Sequence, residues 1–194
     1  TQDYFLSRIC ADYQQHHFAV LGPQILSKDQ KVISLMEPIA PRAVYIVHRW
    51  LIQCQLVLCR FIPGFFDAVD AVKNCVGKLR KPKKQAPTAG ESKLQPQKDI
   101  MLRGCFWIFS PDYVERFDGL DDRTFLYREE QLLFIRLKKN GLHTYYDPEL
   151  KIIHLEDAAT NAVAKTEFKK RVFTLQNEVK SMKILIDALK DYQG

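Results

Sequence analysis

The fold is decided by residues 103–161, which read RGCFWIFSPDYVERFDGLDDRTFLYREEQLLFIRLKKNGLHTYYDPELKIIHLEDAATN. Within this stretch, residues 105–109 form a continuous apolar run that is short enough for a central strand. Ser110 then precedes Pro111, an order typical of a helix start, because proline fits the first helical position. The stretch therefore begins with a predicted buried strand that leads directly into a turn of helix.

A second helix is predicted over residues 129–139. Two acids lie in its first turn, two lysines lie in its last turn, and Asn140-Gly141 follows as a C-cap. Two short strands are predicted next, at residues 143–146 and 151–155, separated by Asp147-Pro148. Because strand, helix and strand follow one another closely, the sequence predicts the α/β class.

Further elements flank this stretch on both sides. Residues 4–15 place apolar side chains four apart, which predicts an amphipathic helix, and residues 18–21 predict a buried strand that ends at Gly22-Pro23. Residues 168–189 carry an apolar stripe in steps of four and three, which predicts one long helix. That stripe either packs along its own domain or forms the seam of a homodimer through 168–189.

Residues 44–66 are strongly apolar but include two arginines, which makes a bilayer-spanning helix costly. An amphipathic helix that lies on a membrane surface fits the composition better. Its apolar anchors would be Trp50, Leu51, Leu58 and Phe61. The alternative is a helix packed on the domain itself.

The charge of the chain is concentrated in one segment. The chain has 29 Lys and Arg against 23 Asp and Glu, a formal net charge of +6. Residues 78–98 hold seven cations and one acid, so this segment accounts for the whole excess. We predict a mobile loop over residues 77–98 that either contacts anionic lipid or is a solvated linker. Cations confined to such a loop argue against a nucleic-acid-binding face.

The 194 residues include five cysteines, an odd number without C-x-x-C spacing, which favours a reducing compartment over a disulfide framework. The expected location is the cytoplasm, including a peripheral position on the inner face of the membrane.

Residues 103–161 resemble the C-terminal half of family-2 glycosyltransferases, inverting enzymes of bacterial polysaccharide assembly. The resemblance lies in the order of short motifs, which are an apolar strand after Gly104, Ser-Pro-Asp-Tyr, Phe-Asp-Gly, Thr-Phe-Leu-Tyr127, an acidic pair, Arg-Leu-Lys-Lys, Tyr-Tyr-Asp-Pro and Ile-Ile-His154. It implies part of a GT-A-type open sheet, with the site at the carboxyl ends of the strands. It also implies transfer of a sugar from a nucleotide-sugar donor to a lipid-linked or polysaccharide acceptor.

The resemblance assigns roles to particular residues. Glu130 matches the general base that takes a proton from the acceptor hydroxyl, and the carboxylate of Glu129 lies beside it. Donor or acceptor binding is implied for Arg103, Gly104, Tyr127, Glu129 and His154. His154 resembles a family histidine near the donor diphosphate or its metal, whereas a histidine in an apolar strand is also common as a core residue. Gln131 departs from the Glu-Glu-Asp pattern of one branch of the family.

The family holds Mg²⁺ or Mn²⁺ with an Asp-x-Asp motif in its nucleotide-binding half, and these 194 residues contain no Asp-x-Asp. No metal ligand other than His154 is therefore expected in this chain. The helix at 4–15 resembles the family helix that follows the motif. We therefore expect the nucleotide half to lie upstream of Thr1, and the chain alone to have little transferase activity.

These expectations divide the chain into four parts. Residues 1–39 would end the nucleotide-sugar half, 40–99 would be a helical insertion with the basic loop, 100–165 the acceptor and catalytic region, and 166–194 the C-terminal helix. The alternative function is a non-catalytic remnant or interaction module derived from such an enzyme.

Overall fold

The structure, a computed structural model, describes residues 2–29, 31–62, 64–79, 95–155 and 166–192. Within those ranges it contains a four-stranded mixed sheet and six helices, which confirms the predicted α/β class. The strands are β1 (Val20–Ser27), β2 (Gln97–Lys98), β3 (Ile108–Phe109) and β4 (Thr144–His154). The helices are α1 (Gln2–His16), α2 (Arg42–Phe61), α3 (Phe65–Leu79), α4 (Pro111–Val114), α5 (Glu129–Lys139) and α6 (Glu167–Ala188).

The sheet has the order β2-β4-β1-β3. Its centre is the parallel pair β1 and β4, and the two-residue strands β2 and β3 pair antiparallel at the edges. All residues of β1 from Val20 to Ile25 are buried. Burial on both faces explains why this strand shows an apolar run and no alternating pattern.

Both central strands continue past their prolines, so two sequence predictions are wrong. β1 does not end at Gly22-Pro23, and the strands predicted at 143–146 and 151–155 are parts of one strand, β4, which runs from Thr144 to His154. The register shifts where Pro23 pairs with Asp147 and the next pair is Gln24 with Lys151. Proline is tolerated in a strand at such an irregularity, because the missing N–H falls where the ladder is already interrupted.

The prediction of a central strand over residues 105–109 is also wrong. Only Ile108–Phe109 form a strand, and that strand is at an edge of the sheet. The predicted mobile loop over residues 77–98 is wrong at both ends, because residues 77–79 belong to α3 and Gln97–Lys98 pair with β4. Residues 80–94 of that loop lie outside the described residues.

Helices cover both faces of the sheet. On one face, α1 packs against buried side chains of β1 and β4, including Leu21 and Leu150. On the other face, α5 contributes Leu133 and Leu137 to a cluster with Val20 of β1. The predicted helices at 4–15, 129–139 and 168–189 correspond to α1, α5 and α6. α4 begins at Pro111, as its sequence indicates.

The third cluster lies on the side of α5 that faces away from the sheet. Leu132 and Ile135 of α5 meet Tyr45 and Ile52 of α2 there. The apolar stripe of α6 completes the cluster with Met182, Leu185, Ile186 and Leu189, all buried. The stripe that predicted either a dimer seam or internal packing is therefore packed within its own chain over this length.

The apolar segment 44–66 is not one element. α2 ends at Phe61, a turn with Gly64 at φ +70° follows, and α3 begins at Phe65. Of the helices in the described ranges, none is both long and apolar enough to cross a membrane.

Candidate functional site

The structure brings Glu130 and Gly104 into direct contact. Glu130 lies in the first turn of α5, and Gly104 follows the short extended segment 101–103. The Gly104 N–H donates a hydrogen bond of 3.2 Å to Oε1 of Glu130, across 26 positions of sequence. Two residues that the sequence assigned to one site are thus neighbours in space.

Ser34 fixes the position of this segment relative to the sheet. The Ser34 hydroxyl accepts a 2.7 Å hydrogen bond from the Ile25 N–H of β1, and the Ser34 carbonyl accepts one of 3.0 Å from the Arg103 N–H. Next to these bonds, Met36 donates to the Met101 carbonyl at 3.1 Å. Gly104 is therefore held at a fixed place beside the carboxyl half of β1.

The absence of a side chain at position 104 permits the close approach of Glu130. A Cβ at this position would lie 2.9 Å from Oε1 of Glu130 and 3.2 Å from its Cδ. The first of these distances is shorter than van der Waals contact allows, so any larger residue would displace the carboxylate. Glycine therefore sets the orientation of Glu130 as well as donating to it.

Glu129 and Glu130 are both half-buried at the N-terminus of α5. Burial raises the pKa of Glu129, and the neighbouring charge of Glu130 raises it further, whereas nearby backbone N–H groups lower it. The helix N-terminus itself favours carboxylates. The net effect is a raised pKa for Glu129, so this carboxylate holds a proton more readily than an exposed glutamate does.

The backbone just before α5 is in an unusual conformation. Tyr127 and Arg128 have φ angles of +70° and +72°, in the left-handed region that residues with a side chain rarely occupy. Contacts to α6 offset this strain, because the Tyr127 hydroxyl donates to Oγ1 of Thr174 at 3.2 Å and Arg128 binds Oε1 of Glu178 at 2.5 Å. The strained turn determines the direction in which the first turn of α5, with Glu130, projects.

Arg128, Thr174 and Glu178 are positioning residues that sequence reasoning missed. No glycine or asparagine marks the left-handed turn, and the partners in α6 are 47 and 50 residues away. A pattern confined to residues 103–161 contains no signal for them.

Gln131, the third residue of the acidic motif, is buried, and within the described ranges its Oε1 has no hydrogen-bond partner. A carboxylate at that position would be enclosed in the protein. Of the three consecutive positions, the half-buried Glu129 and Glu130 are the accessible ones.

The remaining predicted residues are less closely connected. The side chain of Arg103 is exposed next to Gly104. His154 ends β4 opposite Ser27, and none of the described contacts links it to Glu130. Across the described ranges there is no group of three or more His, Cys, Asp or Glu side chains that could hold a metal ion.

This arrangement presents the accessible carboxylate of Glu130, bound by Gly104, at a helix N-terminus, which is the geometry that a general base requires. No family model matches the chain, and neither the curated proteins nor the solved structures include a match.

Proposed function

We propose that this chain is the acceptor-side portion of an inverting glycosyltransferase with a GT-A-type sheet, and that Glu130 is its general base. The observation that carries the proposal is the hydrogen bond between Gly104 and Glu130. It brings together Gly104, at the start of the motif order that resembles family-2 glycosyltransferases, and the acidic pair of that order. The positioned carboxylate is the group that the inverting reaction needs.

In this reaction the acceptor hydroxyl oxygen attacks the anomeric carbon of the donor sugar while the bond to the nucleoside diphosphate breaks. Glu130 takes the proton from that hydroxyl as the new bond forms. Gly104 keeps one carboxylate oxygen occupied by its N–H, which leaves the other for the acceptor. Arg103, exposed beside them, is placed to bind acceptor oxygens.

Mg²⁺ or Mn²⁺, which the resemblance implies, would neutralise the leaving diphosphate. The described residues do not supply a donor set for it, because no three metal-ligating side chains in these ranges converge. The mechanism of this chain is therefore limited to its own groups, which are the base and its positioning contacts.

The proposal is tested with the protein purified at its natural length from its own cells. The assay supplies a panel of nucleotide sugars, Mg²⁺ and Mn²⁺, and a lipid extract of the same cells as acceptor. We expect release of nucleoside diphosphate that depends on the extract. Glu130→Gln should reduce the rate by about 10²- to 10⁴-fold, the usual contribution of a general base.

Glu115→Gln is the matched control. Glu115 is an exposed acid at the end of α4, and its substitution makes the same change of charge in the same motif region. We expect it to keep the wild-type rate. A Glu130→Gln enzyme that is as fast as Glu115→Gln would contradict the assignment of the base.

The second candidate function is a non-catalytic interaction module. It is favoured by the row of exposed apolar side chains on α2, including Trp50 and Phe61, which no sugar-transfer chemistry requires. A wild-type protein that transfers no sugar under any of these conditions would decide for this candidate.

A further inference from the structure

The outward side of α2 holds an unusual concentration of exposed apolar side chains. Among the described residues, half of the exposed large hydrophobic side chains lie in the short range 44–62. Eight of them are within the helix, namely Val44, Ile46, Val47, Trp50, Leu51, Val57, Leu58 and Phe61. We call these eight residues the outer arc.

The outer arc is a continuous band along the helix. With about 100° of rotation per residue, its members cover roughly 160° of the helix circumference. The buried residues Tyr45, Ile52 and Cys59 are on the opposite side. α2 thus has two apolar faces, one directed to its own domain and one directed away from it.

The inner face fixes the orientation of α2, so the helix cannot turn to bury its outer arc. Tyr45 and Ile52 pack with α5 and α6. Arg42 donates to the Ile186 carbonyl at 3.0 Å, and Arg49 donates to the Val179 carbonyl at 3.3 Å. An exposed apolar area of this kind marks a binding surface.

Positive charge borders the outer arc. α2 contains three arginines and no acidic residue. Arg42, Arg49 and Arg60 lie along one edge of the arc at helical spacing, between its apolar band and the inner face. Of the two acids early in α3, Asp70 is paired with Arg171 at 2.6 Å.

We infer that the outer arc of α2 docks on an anionic lipid bilayer, with the helix lying in the plane of the membrane surface. Apolar side chains of the arc would enter the interface, where tryptophan is favoured, and the exposed Arg60 at its border would meet lipid phosphates. This inference needs no sugar chemistry and does not rest on the proposed function.

A second copy of the chain fits the same surface less well. Two outer arcs packed face to face and antiparallel would bring the arginine edges of both helices to the same side, and α2 offers no acid to pair with them in either orientation. Like charges that meet at an interface oppose association. An anionic bilayer supplies both the apolar phase and the opposite charge.

The test is flotation of the purified chain with vesicles in 0.1 M salt. We expect binding to vesicles of equal parts phosphatidylcholine and phosphatidylglycerol, at least about tenfold stronger than to phosphatidylcholine alone. Arg60→Gln should weaken this binding about fivefold, because one cation near an anionic surface contributes roughly that factor.

The decisive comparison is between two double variants. Trp50→Glu with Phe61→Glu alters side chains that are 63% and 76% exposed. Leu6→Glu with Phe125→Glu adds the same two charges at side chains that are also 63% and 76% exposed, but outside α2. We expect the first pair to lose more than about tenfold in binding and the second to stay within about threefold of wild type.

Circular dichroism should show the wild-type helix content for both double variants, because all four side chains are exposed. Equal binding to neutral and anionic vesicles, or equal loss in the two double variants, would overturn the inference. A chain that floats with neither vesicle but forms a dimer that Trp50→Glu with Phe61→Glu dissociates would assign the arc to a second copy.

Discussion

Glu129 and Glu130 are adjacent in the sequence, but among the described contacts it is the Glu130 carboxylate that is bound by a residue distant in sequence. The Glu130 carboxylate accepts from Gly104, whereas burial raises the pKa of Glu129. A base is useful when its orientation is fixed before the substrate arrives. At the scale of residues, the missing side chain at position 104 is therefore as important for the proposed reaction as the carboxylate.

Gly104→Ala should impair the orientation of Glu130 with little effect on the fold. The added methyl group would lie 2.9 Å from Oε1, so the flexible Glu130 side chain must move. We expect the transferase rate to fall about 10- to 100-fold, since misplacing a catalytic group by about 1 Å has effects of this size. The melting temperature should change little, because Gly104 is exposed and its φ angle is ordinary for any residue.

A double-mutant cycle with Glu130→Asp provides the control. Aspartate is shorter by one methylene group and leaves space for the methyl group that Gly104→Ala adds. The Gly104→Ala substitution should therefore cost less activity when Glu130→Asp is already present than in wild type. Equal losses in the two backgrounds would mean that Gly104 acts through something other than Glu130.

At the scale of elements, the helices could be predicted and the strands only in part. α5 has its predicted bounds because its signals are local: acids in its first turn and Asn140-Gly141 after its last. The sequence predicts strands that end at Pro23 and Pro148, because proline normally interrupts a strand. The two prolines are tolerated because β1 and β4 pair with a register shift at this point. The paired residues Pro23 and Asp147 are 124 positions apart in the sequence, so no local pattern indicates the pairing.

The contact between α1 and β4 contains a buried cluster of charge that the sequence did not reveal. Asp12 and Asp147 are almost completely buried, and Nε of Arg8 lies 3.4 Å from the first and 2.9 Å from the second. Burial and the neighbouring Asp147 carboxylate raise the pKa of Asp12 to about 6. One arginine thus faces two buried carboxylates, and Oδ2 of Asp12 has no partner in the described ranges.

Asp12→Asn should make the protein more stable at pH 7.5 and reduce the pH dependence of its stability. The ordinary pKa of Asp12 is 3.8, so between about pH 4 and 6 the folded state binds more protons than the unfolded state. The free energy of unfolding of the wild type therefore rises as the pH falls from 7.5 toward 5. Asparagine carries no charge, so the gain should be about 1–3 kcal/mol at pH 7.5 and about half as much at pH 5, where unfolded Asp12 is still largely ionised.

Urea unfolding at pH 7.5 and pH 5 measures both quantities. Glu149→Gln is the control, because Glu149 binds the same arginine at 2.6 Å but is exposed. We expect it to change stability by less than about 1 kcal/mol and to retain the wild-type pH dependence. If Asp12→Asn keeps the full wild-type slope between the two pH values, Asp12 is not the group that titrates.

At the scale of the whole molecule, α5 connects the two halves of the core. Leu133 and Leu137 face the sheet, whereas Leu132 and Ile135 face α2 and α6. The helix that carries Glu130 is therefore packed on both sides. This double packing holds the backbone that carries Glu130 in place, although the side chain of Glu130 is only half-buried.

The candidate site could be predicted from sequence to the extent that it lies within one motif region. Glu130, Glu129, Gly104 and Arg103 come from residues 103–161, and the structure places them together. The groups that orient them come from elsewhere: Ser34 before the motif, and Thr174 and Glu178 of α6 after it. Their role depends on tertiary contacts of ordinary polar residues, which leave no pattern in the sequence.

α5 belongs both to the cluster on the sheet and to the third cluster, which it forms with α2 and α6. A cavity in the third cluster should therefore destabilise the sheet as well. Leu185 is fully buried in that cluster, between α2 and α5. Leu185→Ala should lower the free energy of unfolding by about 2–5 kcal/mol, the usual cost of a buried leucine and its cavity. Leu6→Ala, at an exposed leucine of α1, should change it by less than about 0.5 kcal/mol.

Amide hydrogen exchange, read separately for peptides of α2 and β4, distinguishes a coupled core from two independent ones. In a single cooperative unit, Leu185→Ala reduces the protection of the slowest amides in both peptides by the same free energy, because both exchange through global unfolding. We expect this result. Loss of protection in α2 with unchanged protection in β4 would show that α2 and α6 unfold separately, and that the sheet alone holds α5 and Glu130 in place.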